Sequence, residues 1–146
     1  MPLIIQIAII SIYSGIAYLF VEPLNNWLLF VLGLIMGFLF LFFDKKIAYK
    51  YYQNNGLVTR SVIFLFTYIP LSLFVITSSG SPLGVGMMIS MGFTYVIELW
   101  QVKSSSELFA HKFLWQTGKA WSEKEIKIFT RVFIVIVFLL ALLALT

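Results

Sequence analysis

Acidic side chains inside apolar segments are the first candidates for chemistry in this sequence. Glu98 is the only acidic residue well within an apolar run, and Asp44 ends another such run. An ionisable group inside a membrane helix is costly, so it often marks a functional site. Lys103 follows Glu98 by about one helical turn, and a carboxylate near the membrane surface can pair with such a residue. We therefore predict that Glu98 is structural and has a Lys or Arg partner. A functional carboxylate is the alternative.

The best candidate for a polar functional cluster consists of Gln6, Asp44, Tyr95 and Glu98. If the apolar runs are membrane helices, three of these residues fall in one layer near the same membrane surface, and Tyr95 lies one turn before Glu98. The same layer is expected to hold Lys45, Lys50 and Arg60. The layer is either the inner mouth of a pore or a solvated, charged rim.

Metal, cofactor and nucleophile sites are not predicted. The chain has no cysteine, which excludes disulfides, thiolate metal sites and iron–sulfur clusters. Its single histidine, His111, is not accompanied by a ligand set, so metal or haem binding is not expected. The sequence also lacks a phosphate-binding glycine loop, a nucleophile elbow and a zinc-protease helix motif. We predict no catalytic residue and no cofactor.

The composition identifies the elements that must position these residues. The 146 residues are 61% hydrophobic and only 11% charged, whereas soluble domains carry about 25% charged residues. Membrane-spanning helices need about 20 apolar residues. Five apolar runs at or near that length occur at about 3–20, 27–43, 61–77, 84–102 and 126–145. We predict an all-α integral membrane protein, a single transmembrane domain built as a bundle of about five transmembrane helices.

Two serine–glutamate pairs have the spacing of a capping box, in which each side chain bonds to the backbone of the other residue. Ser104 and Glu107 predict the start of a short interfacial helix at about 105–116. Ser122 and Glu125 predict the start of the last helix. The charge-free part of that helix, 132–146, is short, so four spans with the last helix lying flat remain an alternative.

The orientation follows from the basic residues. All ten Lys and Arg residues fall in or beside the connections between the second and third runs and between the fourth and fifth. Cytoplasmic loops carry the excess of Lys and Arg. We predict a multi-pass protein of the cell membrane, specifically a bacterial inner membrane, with a cytoplasmic N-terminus and the C-terminus outside.

Small residues at four-residue spacing predict where helices approach closely, because packing joins helices in lipid. The pairs are Ser11 with Gly15, Gly33 with Gly37, and Gly86 with Ser90. Packing within the bundle is the main interpretation, and a homo-oligomer contact is the alternative. Gly33 and Gly37 are the better candidates for that contact, because their helix has no other polar feature.

The segment FVITSSGSPLGVGMM, followed later by SEKEIKIF, resembles parts of small multi-helix membrane proteins of reduced-genome bacteria. The resemblance covers about the last two thirds of the chain. Those proteins have an acidic inner end of an early helix, where this chain has Asp44, and a later helix with a histidine and an aspartate. This chain has Tyr95 and Glu98 in that later region. The resemblance implies no activity, and the missing histidine argues further against metal chemistry.

Three functions remain open on the sequence alone. The first is a non-enzymatic scaffold or partner subunit of a membrane complex. The alternative is a small oligomeric channel or transporter with a carboxylate at its inner mouth, and the third is a membrane enzyme acting on lipid. The expected partners are the lipid bilayer and either further copies of the chain or other membrane subunits. Nucleic acid is not expected, because the net charge of +4 is distributed as for a membrane surface.

Overall fold

A computed structural model of the chain describes residues 2–21, 24–51, 57–117 and 121–146, without the side chains of residues 2 and 48–51. These residues form six α-helices and no strand, which confirms the predicted all-helical class. The helices are α1 (Pro2–Ala17), α2 (Leu24–Tyr51), α3 (Val62–Ser78), α4 (Pro82–Val102), α5 (Ser106–Phe113) and α6 (Glu123–Leu143). A 3-10 turn, Val58–Arg60, precedes α3.

Three helical segments are long and apolar enough to cross a membrane: Leu24–Ile47, Pro82–Val102 and Glu123–Leu143. Two shorter apolar segments, Leu3–Ala17 and Val62–Ser78, pack beside them. The main difference from the predicted ranges is that α2 continues past residue 43 to Tyr51. Its extension contains lysine, alanine and tyrosine but no glycine or proline, so nothing in its composition stops the helix.

Serine side chains begin four of the helices. Ser122 and Glu125 form the predicted capping box at α6. The other predicted box, at Ser104 and Glu107, is wrong. The capping residue of α5 is Ser105, whose hydroxyl accepts from the Leu108 amide. Ser104 lies in the turn that follows α4, so its side chain does not begin the next helix.

Glycines let α2 and α4 pack with their backbones in contact. A methyl group added at Gly33 or Gly37 would overlap the backbone carbonyl of Leu83 or Met87, respectively. A methyl group at Gly86 would overlap the carbonyl of Phe30. Because α4 occupies this face of α2, Gly33 and Gly37 are not free to contact a second copy of the chain.

Ser11 and Gly15 differ from the other small-residue pairs. Both are exposed, and space is open around Gly15. Among the described residues, the predicted packing of this pair against a helix of the same chain is therefore not found. Ser90, by contrast, is completely buried in α4.

Two groups of buried side chains form the core, and they define the two ends of the bundle. At the end that we call the basic end, α5 inserts Phe109 and Phe113 beneath α4 and α6. At the opposite, apolar end, Phe30, Leu34 and Leu140 pack together.

Helix α1 is attached mainly at the apolar end. Tyr13 and Ala17 are its buried residues among the described side chains, and the Tyr13 hydroxyl donates to the Ala141 carbonyl over 2.6 Å. Towards the basic end, Leu3 and Ile7 are about half exposed. Helix α1 therefore packs closely over its second half, and its first half lies more loosely against the bundle.

Candidate functional site

The guanidinium of Arg60 is the centre of the polar cluster at the basic end. Arg60 is the last residue of the 3-10 turn and is only 2% exposed. The following Ser61 caps α3 by accepting from the Phe64 amide. This cap fixes the junction between the turn and α3, so that Arg60 is held between α2 and α4.

Arg60 makes five hydrogen bonds, all with nearby oxygens. Nε and Nη2 donate to the two carboxylate oxygens of Glu98, each over 3.2 Å. Nη1 donates to Asp44 over 3.0 Å and to the Thr59 hydroxyl over 3.2 Å. Nη2 also donates to the Leu41 carbonyl over 3.0 Å. Because a guanidinium has five N–H groups, the donor capacity of Arg60 is fully used.

Glu98 is buried between two cations. It is 7% exposed, and its Oε2 lies 3.1 Å from the Lys112 ammonium of α5 in addition to its contacts with Arg60. The sequence suggested Lys103 as a nearby basic residue, but Lys103 lies over the ring of Trp100 instead. Glu98 therefore has the expected basic partners, although they are distant in sequence and the pair is buried rather than at a wet surface.

Asp44 completes the cluster from α2. Its Oδ2 accepts from Arg60 and from the Thr59 hydroxyl, and its side chain is 29% exposed. One arginine thus connects the carboxylates of α2 and α4, which the sequence had placed in one layer.

A cavity of about 380 Å³ lies beside this cluster. Gln6, Lys45 and Glu98 line it, so the structure brings these members of the predicted layer to one place. The side chain of Lys50 lies outside the described residues. Tyr95 is separate, because it is fully buried among aromatic rings that include Tyr68.

The Lys112 ammonium is in an electrostatically unfavourable position. Burial lowers its pKa, and the charges of Lys45 and Arg60 lower it further. The Glu98 carboxylate opposes this effect by stabilising the charged form. Lys112 is therefore held at the cavity by one carboxylate while two cations repel it.

The cluster is better arranged for holding helices together than for acid–base catalysis. Catalytic acids and bases need an available proton-transfer position, whereas both Glu98 oxygens contact cations. His111 is exposed on α5. The described part of the chain contains no group of three or more His, Cys, Asp or Glu side chains that could hold a metal ion. The absence of cofactors and catalytic residues stays a prediction.

Sequence reasoning missed the central role of Arg60 and the part played by Lys112. Arg60 directly precedes an apolar run, so it resembles an ordinary flanking residue at the membrane surface. Thirty-eight residues separate Arg60 from Glu98, and no local spacing signals such a pair. Lys112 reaches Glu98 because α5 folds beneath the bundle, which the sequence pattern did not specify.

No protein family model matches the chain, and no curated protein sequence or solved structure matches it.

Proposed function

We propose that the protein crosses a membrane five times, through α1, α2, α3, α4 and α6. The three long apolar helices support this, and α1 and α3 pack alongside them. At 1.5 Å per residue, 16–17-residue helices span about 24–26 Å, against a hydrocarbon core of about 30 Å. Local thinning of the bilayer can close such a gap at modest cost.

We further propose that the basic end faces the cytoplasm. Lys45, Lys46, Arg60 and Lys112 all line the cavity at that end, together with Leu3 from the start of α1. The excess of basic residues belongs on the cytoplasmic side. An odd number of spans then puts the N-terminus inside and the C-terminus outside.

Within the membrane, the proposed role is that of a non-enzymatic partner subunit. The observation that carries this proposal is the saturated ionic cluster, in which Arg60 uses every donor on Asp44, Glu98, Thr59 and Leu41. Breaking such a buried pair is strongly destabilising. A side chain of this cluster could react only after breaking its ion pairs, and that would destabilise the bundle. The cluster therefore suits a structural role.

The exposed face of α1 suits contact with a helix of another chain. Ser11 and Gly15 are four residues apart and uncovered, and Ile12 beside them is 65% exposed. Small residues at this spacing let helix backbones approach each other closely in lipid. The same spacing at Gly33 and Gly37 is used inside the bundle.

A channel or transporter is the second candidate, because Glu98 lines a cavity at the basic end. Two arrangements weaken it. The carboxylate is neutralised by Arg60 and Lys112, and the apolar end is filled by Phe30, Leu34 and neighbouring side chains. Because the residues that line the cavity lie towards the basic end, the cavity suits binding better than conduction.

Site-specific photocrosslinking in the native membrane tests the subunit proposal. A photoreactive residue at Ile12 should give one adduct of defined mass, whereas the same residue at the 63% exposed Phe74 of α3 should not. Gly15→Leu should abolish the Ile12 adduct. An adduct of twice the chain mass would identify a second copy, and any other discrete mass a different subunit. Equal crosslinking at both positions, or none, would overturn the proposal.

A further inference from the structure

The cavity at the basic end is a wedge between α1, α2 and α4. Helix α1 is fixed near Tyr13 and Ala17, while Leu3 near its start is 45% exposed. The two long helices stay in contact through Gly33 and Gly37. The space of about 380 Å³ therefore opens where α1 packs loosely.

The walls of this wedge combine apolar and cationic groups. Leu3, Phe38 and Phe42 provide apolar surface, and Phe42 is 44% exposed, so this surface continues onto the outside of α2. The cationic side chains in the lining are Lys45, Lys46, Arg60 and Lys112. A ligand that fits both walls has a negatively charged head and an apolar tail.

The positive charge of the wedge is not fully compensated. The two negative charges of Asp44 and Glu98 balance the two positive charges of Arg60 and Lys112. Lys45 and Lys46 are exposed, and the described residues offer neither of them an ion pair.

The local electrostatics also favour an anion. Burial lowers the pKa of Lys112, Glu98 opposes this effect, and the positive charge of Lys45 lowers the pKa further. An anion between the two ammonium groups would relieve this repulsion. Gln6, Thr94 and Gln101 add uncharged hydrogen-bonding groups to the same lining.

We propose that the wedge binds the phosphate headgroup of an anionic phospholipid, with the start of an acyl chain against Phe38 and Phe42. Ligand pockets have volumes of about 300–1,000 Å³, so a cavity of about 380 Å³ suits a headgroup and its first carbons rather than a whole lipid. Basic pockets between membrane helices on the cytoplasmic side bind anionic headgroups. The apolar wall selects the lipid over a free phosphate. This ligand site goes beyond the proposed subunit role and does not depend on it, but it rests on the proposed membrane topology with the basic end in the cytoplasm.

Lipid binding to the purified full chain in a neutral detergent tests this proposal. Phosphatidylglycerol is titrated while native mass spectrometry counts bound lipids. Lys45→Gln combined with Lys46→Gln should raise the dissociation constant about 30-fold, which equals about 2 kcal/mol at about 1 kcal/mol per basic residue. The matched control is Lys124→Gln combined with Lys127→Gln, which removes two exposed charges from the start of α6, outside the cavity. This control should bind as the unmodified protein does.

A second variant tests the cavity without changing charge. Gln6→Trp should fill the wedge and weaken phosphatidylglycerol binding at least tenfold, while helical content stays unchanged. Phosphatidylcholine and inorganic phosphate serve as competitors, and neither should displace the bound phosphatidylglycerol at equal concentration. Displacement by inorganic phosphate would overturn the lipid assignment in favour of a free-phosphate site. Equal losses in the cavity variants and the α6 control would show only general attraction to a basic surface, which would also overturn the proposal.

Discussion

Removing the negative charge of Glu98 should destabilise the bundle strongly. Glu98→Gln keeps the shape of the side chain but leaves Arg60 and Lys112 without their shared carboxylate. Three contacts are affected, two from Arg60 over 3.2 Å and one from Lys112 over 3.1 Å. Because Glu98 is 7% exposed, water cannot readily replace the lost charge.

The expected loss in the free energy of unfolding follows from this burial. Breaking a buried pair by removing one partner costs about 3–5 kcal/mol, whereas an exposed pair is worth about 0–1 kcal/mol. Asp44 still contacts Arg60 after the change, and Lys112 is partly exposed. Both effects reduce the cost, so we expect about 3 kcal/mol, at the lower limit of the range for buried pairs.

The assay is reversible unfolding in mixed micelles, followed by the loss of helical circular dichroism. Glu123→Gln is the matched control, because Glu123 pairs with Lys127 over 3.4 Å but is 60% exposed. Its expected cost is about 0–0.5 kcal/mol. A double-mutant cycle with Arg60→Gln should give a coupling energy of about 2–3 kcal/mol, since coupled residues reach 0.5–3 kcal/mol. If Glu98→Gln cost no more than Glu123→Gln, the buried-pair reasoning would be refuted.

Four further variants are tested in the same unfolding assay. Gly33→Leu should cost about 3 kcal/mol or more, because overpacking typically costs about 1–3 kcal/mol and here the added group meets backbone. Gly15→Leu, which has open space, should change the stability of the isolated chain by less than about 0.5 kcal/mol. If Gly33→Leu and Gly15→Leu changed the free energy of unfolding equally, the α2–α4 contact would not be close. Tyr13→Phe removes the hydrogen bond to Ala141 and should cost about 0.5–1.5 kcal/mol; no loss would mean that α1 is not fixed there. Ser122→Ala removes the α6 cap and should cost about 1 kcal/mol, with earlier melting at the start of α6; unchanged melting would show the cap to be unimportant.

Local patterns in the sequence were sufficient to predict an all-helical chain with membrane-length helices, three of which the structure contains. Runs of apolar residues indicate membrane-length helices because the required length is set by bilayer thickness. The capping box of Ser122 and Glu125 was predictable because both residues lie within one turn. The same spacing failed at Ser104 and Glu107, because Ser104 belongs to the turn that follows α4 and Ser105 is the capping residue of α5.

Spacing alone does not tell which small-residue pairs are covered. Ser11 with Gly15 and Gly33 with Gly37 have the same four-residue separation, yet the first pair is exposed and the second contacts α4. Coverage depends on how each helix is placed against its neighbours. That placement depends on the whole bundle, so the sequence of a single helix does not indicate it.

For the polar cluster, the sequence predicted that its residues lie in one layer, but it did not predict which of them form pairs. The positions of Gln6, Asp44 and Glu98 along their helices were enough to place them near one end. The pairing through Arg60 was not, because it joins residues from the 3-10 turn, α2 and α4. The contribution of Lys112 depends further on the direction of α5. Such contacts between distant segments require the tertiary structure.

The proposed five-span topology, with the basic end inside, underlies both the subunit and the lipid-binding proposals, and cysteine labelling tests it most directly. The chain has no cysteine, so single substitutions at the exposed Ser79, Ser104 and Thr146 give unambiguous signals. In intact cells, a membrane-impermeant maleimide should label Ser79→Cys and Thr146→Cys but not Ser104→Cys, which should react only after lysis. Labelling of Ser104→Cys in intact cells, or protection of Thr146→Cys until lysis, would contradict the five-span account.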